Sequence, residues 1–165
     1  MTNPPPGIIN DREIEAEVDE IIRKGAKLPR WGWPVPAAYN GATGRERIYV
    51  WQQNRIGDLA GLLPSLGQCS VCEKRPADGR HGEIYFRPFA LVDICRSCHA
   101  RIHRRFGNPT RWEAFLEEVV ARDGWAHSLL TVPIDRDEAL RIAEQDNWLE
   151  GIKSLRGDRG ANQQR

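Results

Sequence analysis

CSVCEKRPADGRHGEIYFRPFALVDICRSCHARIHRRF, residues 69–106, holds all four cysteines of the chain and three of its four histidines. The cysteines form two CxxC pairs, Cys69 with Cys72 and Cys95 with Cys98, with 22 residues between them. Each pair is a knuckle that can offer two thiolates to one ion at about 2.3 Å, and two knuckles at this separation are the pattern of a tetrahedral zinc site. Disulfides would require an oxidising compartment, for which the sequence gives no sign. Four unrelated core thiols would not fall into two identical pairs.

The rest of this stretch reads as knuckle, hairpin, helix. Lys74 to Arg80 is a turn rich in charge, Pro and Gly. Glu83–Phe86 and Ala90–Ile94 have the composition of two short strands, with Arg87-Pro88 at the bend. Cys95 opens a helix running to about Arg105. His99 and His103 lie four residues apart and therefore share a face of it. Arg96, Arg101, Arg104 and Arg105 crowd the same helix, and with Arg87 they are the candidate phosphate contacts.

Working outward, Arg45 to Leu66 carries apolar residues at helical spacing, weakened by Gly57 and Gly61 and ended by Pro64. Before it, KLPRWGWPVPAAYNGATG (27–44) is loop chemistry, in which Trp31 and Trp33 pin the loop to the core. Asn10, with Glu13 three residues on, reads as the cap of an amphipathic helix ending near Gly25, its outer face acidic. MTNPPPG at the start is an extended or disordered lead-in. After the central stretch, Asn108-Pro109 starts a helix that ends at Gly124. Trp125–Val132 is a short strand or packed turn. Asp135 with Glu138 caps one last helix to about Leu155, before a mobile tail.

The organisation is therefore residues 1–44, an acidic helix and Pro/Trp-rich loop; 45–106, a helical lead-in and zinc module; 107–155, a helical extension; and 156–165, the tail. The fold class is α+β, a small zinc module embedded among about four helices. Net charge is only +1, so the whole-chain charge selects no partner. No apolar run is long enough for a membrane span and no secretory leader is visible, so a cytoplasmic protein without a membrane partner is expected.

CxxC, an isolated His, then CRSCHARIH (95–103) resembles the HNH endonuclease superfamily, and within it the zinc-knuckle proteins of phages and prophages. The resemblance implies a treble-clef (ββα-metal) module with two metal functions. Cys69, Cys72, Cys95 and Cys98 match the structural zinc ligands, and His99 and His103 the paired histidines of the helix. A divalent ion (Mg2+, Mn2+ or Ni2+) would act between hairpin and helix, with a first-strand histidine as general base. His81 matches one of two adjacent first-strand positions whose neighbour here is Arg80 or Gly82, and the family's central Asn falls near Ala90. Glu83, two residues after His81, is the substitute ligand that chemistry offers, leaving His81 to activate water. The function expected is binding of nucleic acid, DNA foremost. Active cleavage by His81, Glu83, His99 and His103 is the first alternative, and a protein-interaction module stapled by zinc the second. His81-Gly-Glu83 with Cys95-Arg-Ser-Cys98 also mimics the zinc deaminase signature. Eleven residues between Glu83 and Cys95 leave too little chain for that fold, and Cys69 and Cys72 would have no role.

Overall fold

The structure, a computed structural model, describes residues 8–162. The lead-in expected at 1–7 lies outside the described residues. The fold is α+β, built on a three-stranded antiparallel sheet of order β1-β3-β2: β1 (Ile8–Asn10), β2 (Gly79–His81) and β3 (Ala90–Ile94). All five residues of β3 are buried, because both faces of this central strand are covered. Leu91 points into a smaller core with Ile9, Val18, Ile56 and Phe89. Ala90, Val92 and Ile94 point into the larger core, where the cysteines meet Ile102, Trp112 and Trp148. This is the period of two expected for a strand between two layers.

Six α-helices surround the sheet among the described residues: α1 (Arg12–Arg23), α2 (Gly44–Leu59), α3 (Arg96–Arg104), α4 (Pro109–Val119), α5 (Arg136–Glu144) and α6 (Trp148–Asn162). None is long and apolar enough to cross a membrane. Asp11, not Asn10, caps α1, accepting from the Glu13 and Ile14 amides, because Asn10 is still paired with Ala90 in the sheet. α2 is a single helix opened by a Thr43–Glu46 capping box. It stops at Gly61, whose φ of +71° is the left-handed turn that closes helices, and so ends before Pro64. Gly57 is tolerated inside α2 because the Phe89 ring packs where a side chain would begin.

Two expected elements differ. The first hairpin strand is Gly79–His81, and Glu83–Phe86 lies in the loop between the strands. The apolar character of Ile84 is used there for burial, not for pairing. The final helix is two helices, α5 and α6, because Asn147 turns its side chain to the Leu149 amide and starts a new one. α6 then continues past Leu155 through Asn162, into the segment expected to be a tail. Trp125–Ser128 is a 3-10 turn, and α4 ends at Val119, short of Gly124.

Most of the 27–44 segment is loop as expected, with Gly44 already in α2; Trp31 meets the Trp51 ring of α2 at 5.2 Å, whereas Trp33 is largely exposed and does not reach the core. The Asn40-Gly41 turn of this segment needs both residues at positive φ, 45° and 77°. A Cβ at Gly41 would lie 2.5 Å from the Arg136 Cα. Gly41→Ala is therefore expected to lower stability by about 1–3 kcal/mol, from strained backbone alone, read as a shift in thermal unfolding. A variant melting like the wild type would contradict this packing.

Candidate metal centres

The first centre is built by two short backbone devices. Cys69–Cys72 is a tight turn in which the Glu73 amide donates to Cys69 O and Glu73 takes a φ of +53°. Ser70 holds this knuckle to the sheet, its amide and its Oγ both donating to Asp93 O. Trp125 Nε1 donates to Ser70 O from the far side. The second knuckle straddles the start of α3, with Cys95 as N-cap and Cys98 one turn in. The four sulfurs lie within 4.8 Å of one another, and all four residues are buried. A hydrogen bond from Cys98 holds the Cys69 thiol down to about 4, and the same bond pushes Cys98 up. A soft divalent metal such as zinc could be held by the set.

The second centre uses the adjacent face of α3, one residue round from Cys98. One ring nitrogen from each of His81, His99 and His103 falls within 4.8 Å of the other two. His99 and His103 come together as their i, i+4 spacing requires, their Nε2 atoms 3.0 Å apart. With metal–nitrogen bonds of about 2.1 Å, that spacing lets both bind one ion. Burial, aided by nearby positive charge, holds His99 down to about 4 and His103 down to about 3, so both are neutral ligands at ordinary pH.

His81 is almost fully buried, and its two nitrogens differ. Nε2 is 2.8 Å from Glu83 Oε2. Nδ1 is buried with no hydrogen-bond partner. A histidine that donates one nitrogen to a carboxylate and leaves the other bare is the arrangement that orients metal-bound imidazoles. Both oxygens of Glu83 are occupied: Oε2 by His81 and the Tyr39 hydroxyl, Oε1 by Asn40 Nδ2 and by Arg105 at 2.5 Å. Burial alone would raise the Glu83 pKa, but Arg105 and the hydrogen bonds from His81 and Tyr39 hold it down at about 2. The expectation that Glu83 ligates the metal is corrected accordingly: it stands behind His81.

No protein-family model, curated protein or solved structure matches the chain.

The arginines divide into two groups. Arg105 is buried against Glu83, the Tyr39 hydroxyl and Leu130 O. Arg87 is buried too, donating to Ala143 O and Gln145 O. Both are buried and spent on internal acceptors, which corrects the expectation that they meet phosphate. Arg96, Arg101 and Arg104 are exposed as expected. Arg111 of α4, not singled out from sequence, joins Arg101 and Arg104 around a cavity of about 230 Å³ between α3 and α4. Arg101 lies 4.7 Å over the Phe115 ring, and none of the three has a carboxylate partner among the described residues. Tyr39 and Asn40 were also missed. The Asn40-Gly41 turn marks a tight bend, but nothing local points across the chain to Glu83.

Proposed function

We propose that the chain is an HNH-type, metal-dependent phosphodiesterase of nucleic acids. In this reading residues 69–106 form a treble clef, zinc at Cys69, Cys72, Cys95 and Cys98 is structural, and a second divalent ion (Mg2+, Mn2+ or Ni2+) is held by His81, His99 and His103. The observation that carries it is the buried Nδ1 of His81, without a hydrogen-bond partner, on a ring grouped with those of His99 and His103. A buried ring nitrogen left without a partner is costly. A divalent ion there supplies charge to a phosphodiester and makes water a better nucleophile at neutral pH. The chain's own contributions are the three imidazoles, with the His81 ring oriented by its hydrogen bond to Glu83. Arg101, Arg104 and Arg111 supply the phosphate contacts. A second reading, binding without cleavage, is favoured by one observation. His81 is committed to Glu83, so no first-strand histidine is left to act as general base.

A plasmid-nicking assay with Mg2+, Mn2+ and Ni2+, run beside His99→Ala, separates the two readings. Cleavage by the wild type and none by His99→Ala, with the cysteine-bound zinc retained, is the expected result. Tight binding without cleavage under any of these ions selects the second reading. Replacing Arg101, Arg104 and Arg111 by Ala is expected to weaken binding on all sequences and to reduce the slope of log K against log salt by about 3, roughly one per arginine. No binding to DNA or RNA at low salt would leave only a zinc-stapled interaction module.

A further inference from the structure

A second cavity, of about 130 Å³, opens between α2, the 27–44 loop and the residue following His81. Cavities of about 150 Å³ are known to take up a single benzene ring. Its walls include Trp31, Trp51 and Tyr85, and its floor includes Gly82, the neighbour of His81. Two polar side chains line it with buried atoms that have no partner: Arg47 Nε, a donor, and Asn54 Oδ1, an acceptor. Arg47 is otherwise placed by its bond to Ala37 O and by the Tyr85 ring 5.1 Å beneath it. Arg80, the other charged residue on the wall, is tied to Asp93, Asp58 and Pro64 O.

Flat aromatic walls with one unused donor and one unused acceptor suit a planar heterocycle with a polar edge. Nucleobases have both faces to stack and edges that pair donors with acceptors. Inside a duplex those faces are stacked away, so only an unpaired or flipped base can enter. The location adds a second constraint. The Tyr39 ring lies 5.0 Å from His103 and 6.0 Å from His81, with Arg47 5.4 Å above it, so Arg47 spans the space between cavity and imidazoles. A nucleotide with its base in the cavity would have its phosphate on the side of the three histidines.

We propose that this cavity binds one unpaired nucleobase and thereby makes single-stranded nucleic acid the preferred ligand; the proposal rests on the phosphodiesterase reading and names its substrate class. The test is fluorescence anisotropy with a labelled single-stranded DNA oligonucleotide and the same sequence as a duplex, at one salt concentration. Wild-type protein binds the single strand more tightly. Trp51→Leu weakens single-strand binding by about fivefold to a hundredfold, the range for losing one base–aromatic stack, and leaves duplex binding unchanged. Asn54→Ala weakens it several-fold without lowering the melting temperature, since its buried oxygen makes no bond to lose. Should Trp51→Leu fail to fold, Asn54→Ala decides alone. Single-strand affinity unchanged in Asn54→Ala and in a folded Trp51→Leu overturns the cavity assignment. So does a wild type that binds both forms equally. In both cases the nucleic-acid reading survives if the triple arginine variant weakens both forms. A wild type that binds neither form overturns both.

Discussion

Cys95→Ser is expected to abolish tight zinc binding and to lower the melting temperature by more than about 10 °C. Cys95 offers a sulfur to the first centre from the N-cap position of α3, where its side chain makes no capping bond, so the substitution removes a metal tie to the helix that carries Cys98, His99 and His103 and leaves its capping intact. Metal-binding free energies of about 10–16 kcal/mol are typical of small structural zinc sites. Here the larger core around Trp112, Ile142 and Trp148 shares the stabilisation, and a loss of about 5 kcal/mol is the expected remainder. In a chain of this length that is roughly 10–20 °C. Metal analysis and calorimetry on the same preparation check it. One zinc per wild-type chain and none in the variant is the expected pair of results. A wild type purified without chelator that contains no zinc, or a variant melting normally, would remove the structural-zinc reading.

Arg105→Ala is the second large effect. It leaves Glu83, 1% exposed, as a buried charge without its main counter-ion. Breaking one half of such a pair costs about 3–5 kcal/mol. Arg105 also donates to the Tyr39 hydroxyl and Leu130 O, so three segments lose an anchor together. The sign with pH follows from Glu83, whose pKa is held down at about 2 in the fold against about 4.3 when unfolded. Its contribution is present above the unfolded value and is lost as pH falls through the folded one. Acid titration of stability between pH 5 and 2 should therefore be steep in the wild type and flatter in Glu83→Gln. Equal slopes would show that the carboxylate is not what this network stabilises. His81 offers an independent readout: if the three imidazoles hold a divalent ion as proposed, Glu83→Gln, which loosens the orientation of that ring, should lower affinity for the ion 10–100-fold.

These two residues also mark where reading the sequence stopped. Cys69, Cys72, Cys95 and Cys98 are recognisable because a knuckle is a local pattern and two copies fix a spacing. His99 and His103 are recognisable because helical periodicity alone puts them side by side. The role of Glu83 was not. Its place two residues after His81 pointed to the right neighbour, but it lies in the loop after β2 and reaches back. Its other partners, Tyr39, Asn40 and Arg105, come from segments with no local signature of their purpose. Arg105 is indistinguishable in sequence from Arg104, and only the turn of α3 sends one to solvent and the other into the core. The division of the last helix was visible in principle at Asn147, a good cap overlooked inside an otherwise helical pattern.

Asn40 joins residues that synthesis separates widely. Its amide nitrogen reaches Glu83, 43 positions later, and its oxygen takes the amide of Ile134, 94 positions later. Contacts this distant in sequence form late, because the chain between them must first be closed. A growing polypeptide emerging from the ribosome can thus complete its cysteine knuckles once residue 98 is out, yet cannot finish the surroundings of His81 until residue 134 follows. The setting of the three histidines is thus completed by a residue made well after the last of them.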